Sequence, residues 1–195
     1  MPLSTSKTSI IDRGLQILGM SQIASSPQVG SRGSKAMERA YEPVKLSELQ
    51  KNFWHFTIKR RQIAASSTPP VHTKGYAYPL PGDYLMLAPV DQYGDFNLKN
   101  DWTLEGGHII SDDSGPLLIR YVSSDITENM FDAIFAEALS AALAVATSEE
   151  LTNSTAKFQK AAAIYDEQIS LARNRGSILT QKPRAPVSSW ISKRG

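Results

Sequence analysis

The spacing of apolar residues changes character twice along this chain. From Lys7 to Met20, Ile10, Ile11, Leu15, Ile17 and Leu18 recur at helical intervals, and Ser6 is placed to cap the start. Ser21 to Gly33, rich in Ser, Gly, Gln and Pro, predicts a loop. Ser34 then predicts the cap of a second helix carrying Met37, Ala40, Tyr41, Val44 and Leu49. Pro43 sits inside that pattern and is expected to kink or split it, because proline lacks the N–H and crowds the preceding turn.

From Phe53 the period shortens. Trp54, Phe56 and Ile58 alternate with His55, Thr57 and Lys59, which predicts a strand. Ser66 to Gly75, with Pro69 and Pro70, predicts a loop, and the best strand of the Pro-rich stretch that follows is Asp83 to Leu87. Asp91 to Asp101 is polar. Trp102–Glu105 and His108–Ser111 flank Gly106-Gly107, a two-residue hairpin turn whose glycines accept positive φ. Asp112 to Gly115 predicts a second turn and Pro116 to Val122 a return strand, giving a three-stranded meander.

The helical period returns at Thr127 to Ser148, where Phe131, Ile134, Phe135, Ala138, Leu139, Ala142, Leu143 and Ala146 make a continuous stripe, capped by Asp125 or Thr127. Ser154 to Arg175 predicts a fourth helix with Phe158, Ala162, Tyr165, Ile169 and Ala172 on one face, stopped by Gly176. The fold class is therefore α+β. Four principal helices from both chain ends form a bundle (1–52 and 123–176), with a β-rich insertion at 53–122. The segment 177–195 is expected to be an extended C-terminal docking arm. It holds two prolines, no acidic residue, and the cations Lys182, Arg184, Lys193 and Arg194. Trp190 and Ile191 are its strong apolar anchor, and with no core of its own to fill, a partner surface accounts for them better.

Composition narrows the chemistry. With 41% hydrophobic and 21% charged residues, 195 residues can bury a real core, and a formal net charge of +2 does not make the whole chain a polyanion binder. The absence of cysteine removes disulfides, thiolate catalysis and Cys-type metal sites. His55, His72 and His108 are scattered without ligand spacing. No signal sequence or membrane span is expected, so the protein is expected to be synthesised in the cytoplasm and to stay soluble there. Glu105, Asp112 and Asp113 could be read as a glycosidase carboxylate pair, but Asp-Asp-Ser-Gly is turn chemistry first. Ser114 near His108 lacks a nucleophile elbow. No catalytic residue, cofactor or metal ligand is expected. Lys59-Arg60-Arg61 is a basic run on a predicted strand, read either as a solvated face or as an interface or channel lining that meets phosphate non-specifically.

Three segments taken in order resemble the tail tubular protein A family of podovirus-type phages. These are the entry helix Ile10 to Gly19 with its Ser/Pro loop, the helix-to-aromatic-strand passage Ala40 to Arg61, and the hairpin-then-helix junction from Trp102 through Tyr121 into Phe131 to Leu139. Phe53 stands where many members have proline, and Pro43 is a second departure. The resemblance implies a structural virion protein and no enzyme: a head-to-tail adaptor forming a dodecameric ring. In that arrangement the portal protein lies on one side, the tail nozzle protein on the other, and genomic DNA passes through the axis. A tail-associated glycan hydrolase and a DNA-binding module are the alternatives.

Overall fold

The computed structural model describes residues 5–20, 31–88 and 101–179, the last three by backbone alone. Among the described residues, two helices precede six strands and two helices follow them. Helices α1 (Lys7–Ile17) and α2 (Arg32–Gln50) come before strands β1 (Ile58–Ile63), β2 (Tyr76–Pro79), β3 (Tyr84–Leu87), β4 (Trp102–Glu105), β5 (His108–Ser111) and β6 (Leu117–Ser123). Helices α3 (Ala133–Thr152) and α4 (Thr155–Leu179) complete the order. This is an α+β fold with the β segment inserted between two helix pairs.

Helix α3 is the hub. It packs against α1, α2 and α4, and its buried residues, from Phe135 and Leu139 to Ala141, Leu143 and Ala144, point in every direction around the axis. A helix that is apolar all round is stable only when surrounded. Its alanines let the neighbours approach, and α1 comes close at Gly14, where an added Cβ would lie 3.1 Å from the Ser140 carbonyl oxygen. At one end of α3 the aromatic rings of Trp54, Phe56, Phe131 and Phe135 interlock at centroid distances of 4.9 to 6.3 Å.

The strands form two antiparallel three-stranded sheets, ordered β1-β6-β3 and β2-β5-β4. Their facing residues share a second core of Ile63, Tyr78, Ile109, Leu117, Ile119 and Tyr121. The hairpin at Gly106-Gly107 forms as expected, with φ of +54 and +77, and it pairs Glu105 with His108.

Several local expectations are corrected. The return strand β6 does not extend the hairpin into a meander. It pairs with β1 and β3, because β2, unrecognised from the sequence, occupies the other side of β5. Residues 53–57 do not continue the strand: His55–Thr57 is a single 3-10 turn. Thr57 closes it through its backbone N–H and its hydroxyl, both on the Trp54 carbonyl at 2.9 and 2.7 Å. That turn sends Trp54 and Phe56 together into the helical core. Helix α2 is capped by Ser31, whose hydroxyl accepts from the Ser34 N–H. Pro43 does not split it, since α2 is unbroken from Arg32 to Gln50. Helix α3 starts at Ala133 with Asp132 at the cap position, after a 3-10 turn at Glu128–Met130; Ile126 and Phe131 are drawn into the core around that turn. Gly176 does not stop α4, which runs on to Leu179. Ile169 and Ala172 are buried on α4 as expected, joined by Ala161, but Phe158 is 45% exposed and does not belong to that face.

Two substitutions test this packing. Phe135→Ala removes a ring that touches three other aromatics and should destabilise by about 3–5 kcal/mol. Phe158→Ala should change stability by less than about 1 kcal/mol. Chemical denaturation of the two variants measures both; a Phe158 effect as large as that of Phe135 would contradict the assignment of α4's buried face.

Candidate interaction surfaces

The basic run of β1 divides between two faces. Lys59 and Arg61 lie on the same face as Tyr121 and Ile119, their register partners on β6, while Arg60 lies on the other, opposite Arg120. Lys59 is not an open charge. Its ammonium reaches Asp125 Oδ2 at 2.9 Å, the Asp125 carbonyl at 3.1 Å and Asp83 Oδ2 at 3.2 Å. The Asp125 contact first, then Asp83, holds its pKa above the usual lysine value against the opposing effect of burial. Burial first, then Asp83, raises the Tyr121 pKa, and Arg61 acts against that rise.

Asp83 is the centre of that network, and nothing in the sequence marks it out from other turn aspartates. It accepts from the Ser123 hydroxyl at 2.6 Å, the Tyr121 hydroxyl at 3.1 Å and Lys59 at 3.2 Å. Its own carbonyl takes the Ser124 N–H at 2.8 Å. Burial alone would raise its pKa, but the hydrogen bonds from Ser123, Lys59 and Tyr121 outweigh it and hold the carboxyl below the usual value. One side chain thus ties the turn before β3 to β6, β1 and the segment leading to α3.

The helices carry a second polar centre. Glu48 is 3% exposed and accepts from Lys51 at 2.6 Å and from the Tyr165 hydroxyl at 3.0 Å. The carbonyl of the same residue accepts from Trp54 Nε1 at 2.9 Å. Burial raises the Tyr165 pKa. One turn earlier, Lys45 is buried between Glu42 and Glu128 at 3.0 and 3.6 Å, and the Tyr41 hydroxyl donates to Glu128 at 3.1 Å. Burial first, and then Glu128, pushes the Tyr41 pKa up. The sequence held a signal for both centres: Lys45 and Glu48 fall in the same helical stripe as the apolar Met37, Tyr41 and Val44.

At the opposite end of the bundle, Lys7, Arg32, Lys35 and Arg39 line an open cleft of about 750 Å³ together with Glu38 and Glu150. Arg39 pairs with Glu150 at 2.6 Å and Arg32 donates to the Glu150 carbonyl at 2.8 Å.

Of the carboxylates singled out for hydrolysis, Asp112 and Asp113 are engaged in turn contacts. Asp112 Oδ1 accepts from the Gly75 N–H at 3.0 Å, tying the 66–75 loop to the sheet. Asp113 takes the Ser111 hydroxyl at 3.1 Å, and the Tyr78 hydroxyl donates to the carbonyls of Asp113 and Gly115. His108 Nδ1 donates to the Gly106 carbonyl at 2.9 Å, and Glu105 faces His72 at 3.9 Å. The docking residues Lys182, Arg184, Trp190, Ile191, Lys193 and Arg194 lie outside the described residues. Among the described residues, no helix is long and apolar enough to cross a membrane, and no group of three metal-ligating side chains converges. No protein-family model matches the chain, and no curated protein matches it.

Asp83→Asn tests the network. The folded carboxyl titrates below its unfolded value of about 3.9, so its contribution is complete above that pH and is lost as pH falls through the folded value. Denaturation between about pH 2 and 6 should show the wild type losing stability in that acid window. Asp83→Asn should be less stable at neutral pH and should show a smaller loss on acidification; parallel curves for the two proteins would remove Asp83 as the source.

Proposed function

We propose that the chain is a structural virion protein, a head-to-tail adaptor similar to the tail tubular protein A family. In this reading it forms a ring, expected to be dodecameric, between the portal protein and the tail nozzle protein at the head–tail interface, with genomic DNA passing along the axis without sequence recognition. The observation that carries the reading is the chain order. A helical bundle assembled from segments before and after it carries an inserted β lobe, the arrangement that the resemblance implies. Two further features support it. Two of the three acidic residues considered for hydrolysis, Asp112 and Asp113, are committed to turns, and Lys59, the first of the three basic residues on β1, is neutralised by Asp83 and Asp125. Both fit a scaffold better than a catalytic cleft or a polyanion groove. Segment 177–195 serves as the docking arm, its first three residues belonging to α4.

The test is co-sedimentation and electron microscopy of the purified chain with its portal ring. The chain should remain monomeric alone and add a ring to one face of the portal. Failure to bind, or tight salt-sensitive binding of the monomer to DNA, would overturn the reading in favour of the DNA-binding alternative. Release of reducing sugar from host glycans, abolished by Glu105→Gln or Asp112→Asn, would overturn it in favour of the hydrolase. The expected result is no such release and unchanged portal attachment in both variants.

A further inference from the structure

Three helices surround α3, but they do not close around it. Helices α2 and α4 each pack on α3 and meet one another through the Tyr165 hydroxyl on Glu48 and Lys51. Between them runs a groove of about 330 Å³ whose walls and floor include Pro43, Val44, Ala142, Val145, Ala146 and Tyr165. On the α3 floor, Ala146 is exposed and Val145 is only partly covered. The floor is thus an apolar strip of the helix that the fold otherwise buries on all sides. Lys51, at the near end, is turned into Glu48 and Tyr165.

We infer that in the free protein this groove is occupied by the chain's own residues 180–195, with Trp190 and Ile191 seated on the Ala142–Ala146 strip. Three observations carry the assignment. The first is where α4 delivers the chain. A Cβ at Gly176 would lie 4.0 Å from Asn52 Nδ2, and Asn52 directly follows Lys51 at the near end of the groove. Residue 180 therefore starts about one turn beyond that end. The second is reach. From Lys51 to Pro43 the groove follows α2 for about 12 Å, whereas the eleven residues from 180 to 190 extend to about 35 Å, enough to reverse direction and run back along it. The third is compatibility: the charges of the groove's described lining cancel, so nothing there repels a basic segment, and its floor is apolar. The segment carries Lys182, Arg184, Lys193 and Arg194 and no acidic residue. Among the described residues that line the groove, the one cation is Lys51, which Glu48 already neutralises. Trp190 and Ile191 supply the apolar surface that the strip lacks, and Pro183 and Pro186 favour an extended course that loses less entropy on docking.

The chain contains no cysteine, so engineered pairs report position cleanly. In the full chain, Val44→Cys combined with Ile191→Cys should oxidise to an intramolecular disulfide at every dilution. A control pair, Val71→Cys with Ile191→Cys, uses the exposed tip of the 66–75 loop and should cross-link at least about tenfold less, as a tethered but undocked segment would. Ala146→Cys gives a second groove position where substitution meets solvent, should Val44→Cys disturb folding. Adding Ala146→Arg to the Val44 pair should cut the cross-link by a similar factor without changing the thermal melt. Equal cross-linking of groove and control pairs would overturn the inference. So would cross-links that form only between chains and rise with concentration, since the occupant would then be the arm of a second copy. The experiment needs no portal, so its outcome is independent of the adaptor reading.

Discussion

Everything in the helical half answers to one requirement, that the apolar surface of α3 be covered on nearly every side. A twenty-residue helix built mainly of Ala, Leu, Val and Phe has no polar face to give to water, and it becomes stable only when other elements enclose it. The enclosing elements come from distant parts of the chain, α1 and α2 from before the β lobe and α4 from after. The few polar side chains on α3 are made compatible with burial locally. Ser140 and Thr147 donate to the carbonyls of Ala136 and Leu143, four residues back, at 2.8 Å each. Such back-bonding satisfies a hydroxyl without a tertiary partner, so these buried hydroxyls ask only shape of the surrounding helices.

The β lobe is joined to this bundle by an aromatic cluster and tied together inside by a polar centre. The aromatic cluster of Trp54, Phe56, Phe131 and Phe135 is apolar and joins the chain entering the lobe to the chain leaving it. Asp83 is polar and links β3, β6 and β1 through one carboxylate. Together they make the lobe an extension of the bundle's end, with the first residues after α2 already committed to the helical core.

Much of this was legible from residue spacing. Helices α1, α3 and α4, the Ser6 cap and the Gly106-Gly107 hairpin follow from periodicity and turn chemistry, which are local. What was not legible depends on long-range competition. A meander is the default for β4, β5 and β6 when only neighbours in sequence are considered. It fails because β2, four residues long and ending in proline, takes the open side of β5 from about thirty residues upstream. The strand expected from Trp54 onward begins only at Ile58, because aromatic burial in the helical core outweighs alternation over Trp54 to Thr57. Gly176 reads as a helix stop, yet a glycine stops a helix only where the chain takes a left-handed turn, and Asn153 (φ +47) is the residue that does so, between α3 and α4. Of the candidate surfaces, the basic run was visible as composition, but its neutralisation was not, because Asp83 and Asp125 approach Lys59 only once the sheet has formed.

The placement of α3 also sets a timetable for the chain during its synthesis. Helices α1 and α2 are complete by Gln50, but the surface they pack on ends at Thr152, about one hundred residues later. At translation rates of roughly 5–20 residues per second, the first pair waits on the order of 5–20 s with its apolar faces uncovered. The β lobe is made within that interval, and its second core is complete at Ser123, before any of α3 exists. On the ribosome, the inserted lobe is therefore the part able to fold first, and the ends that flank it close around α3 last.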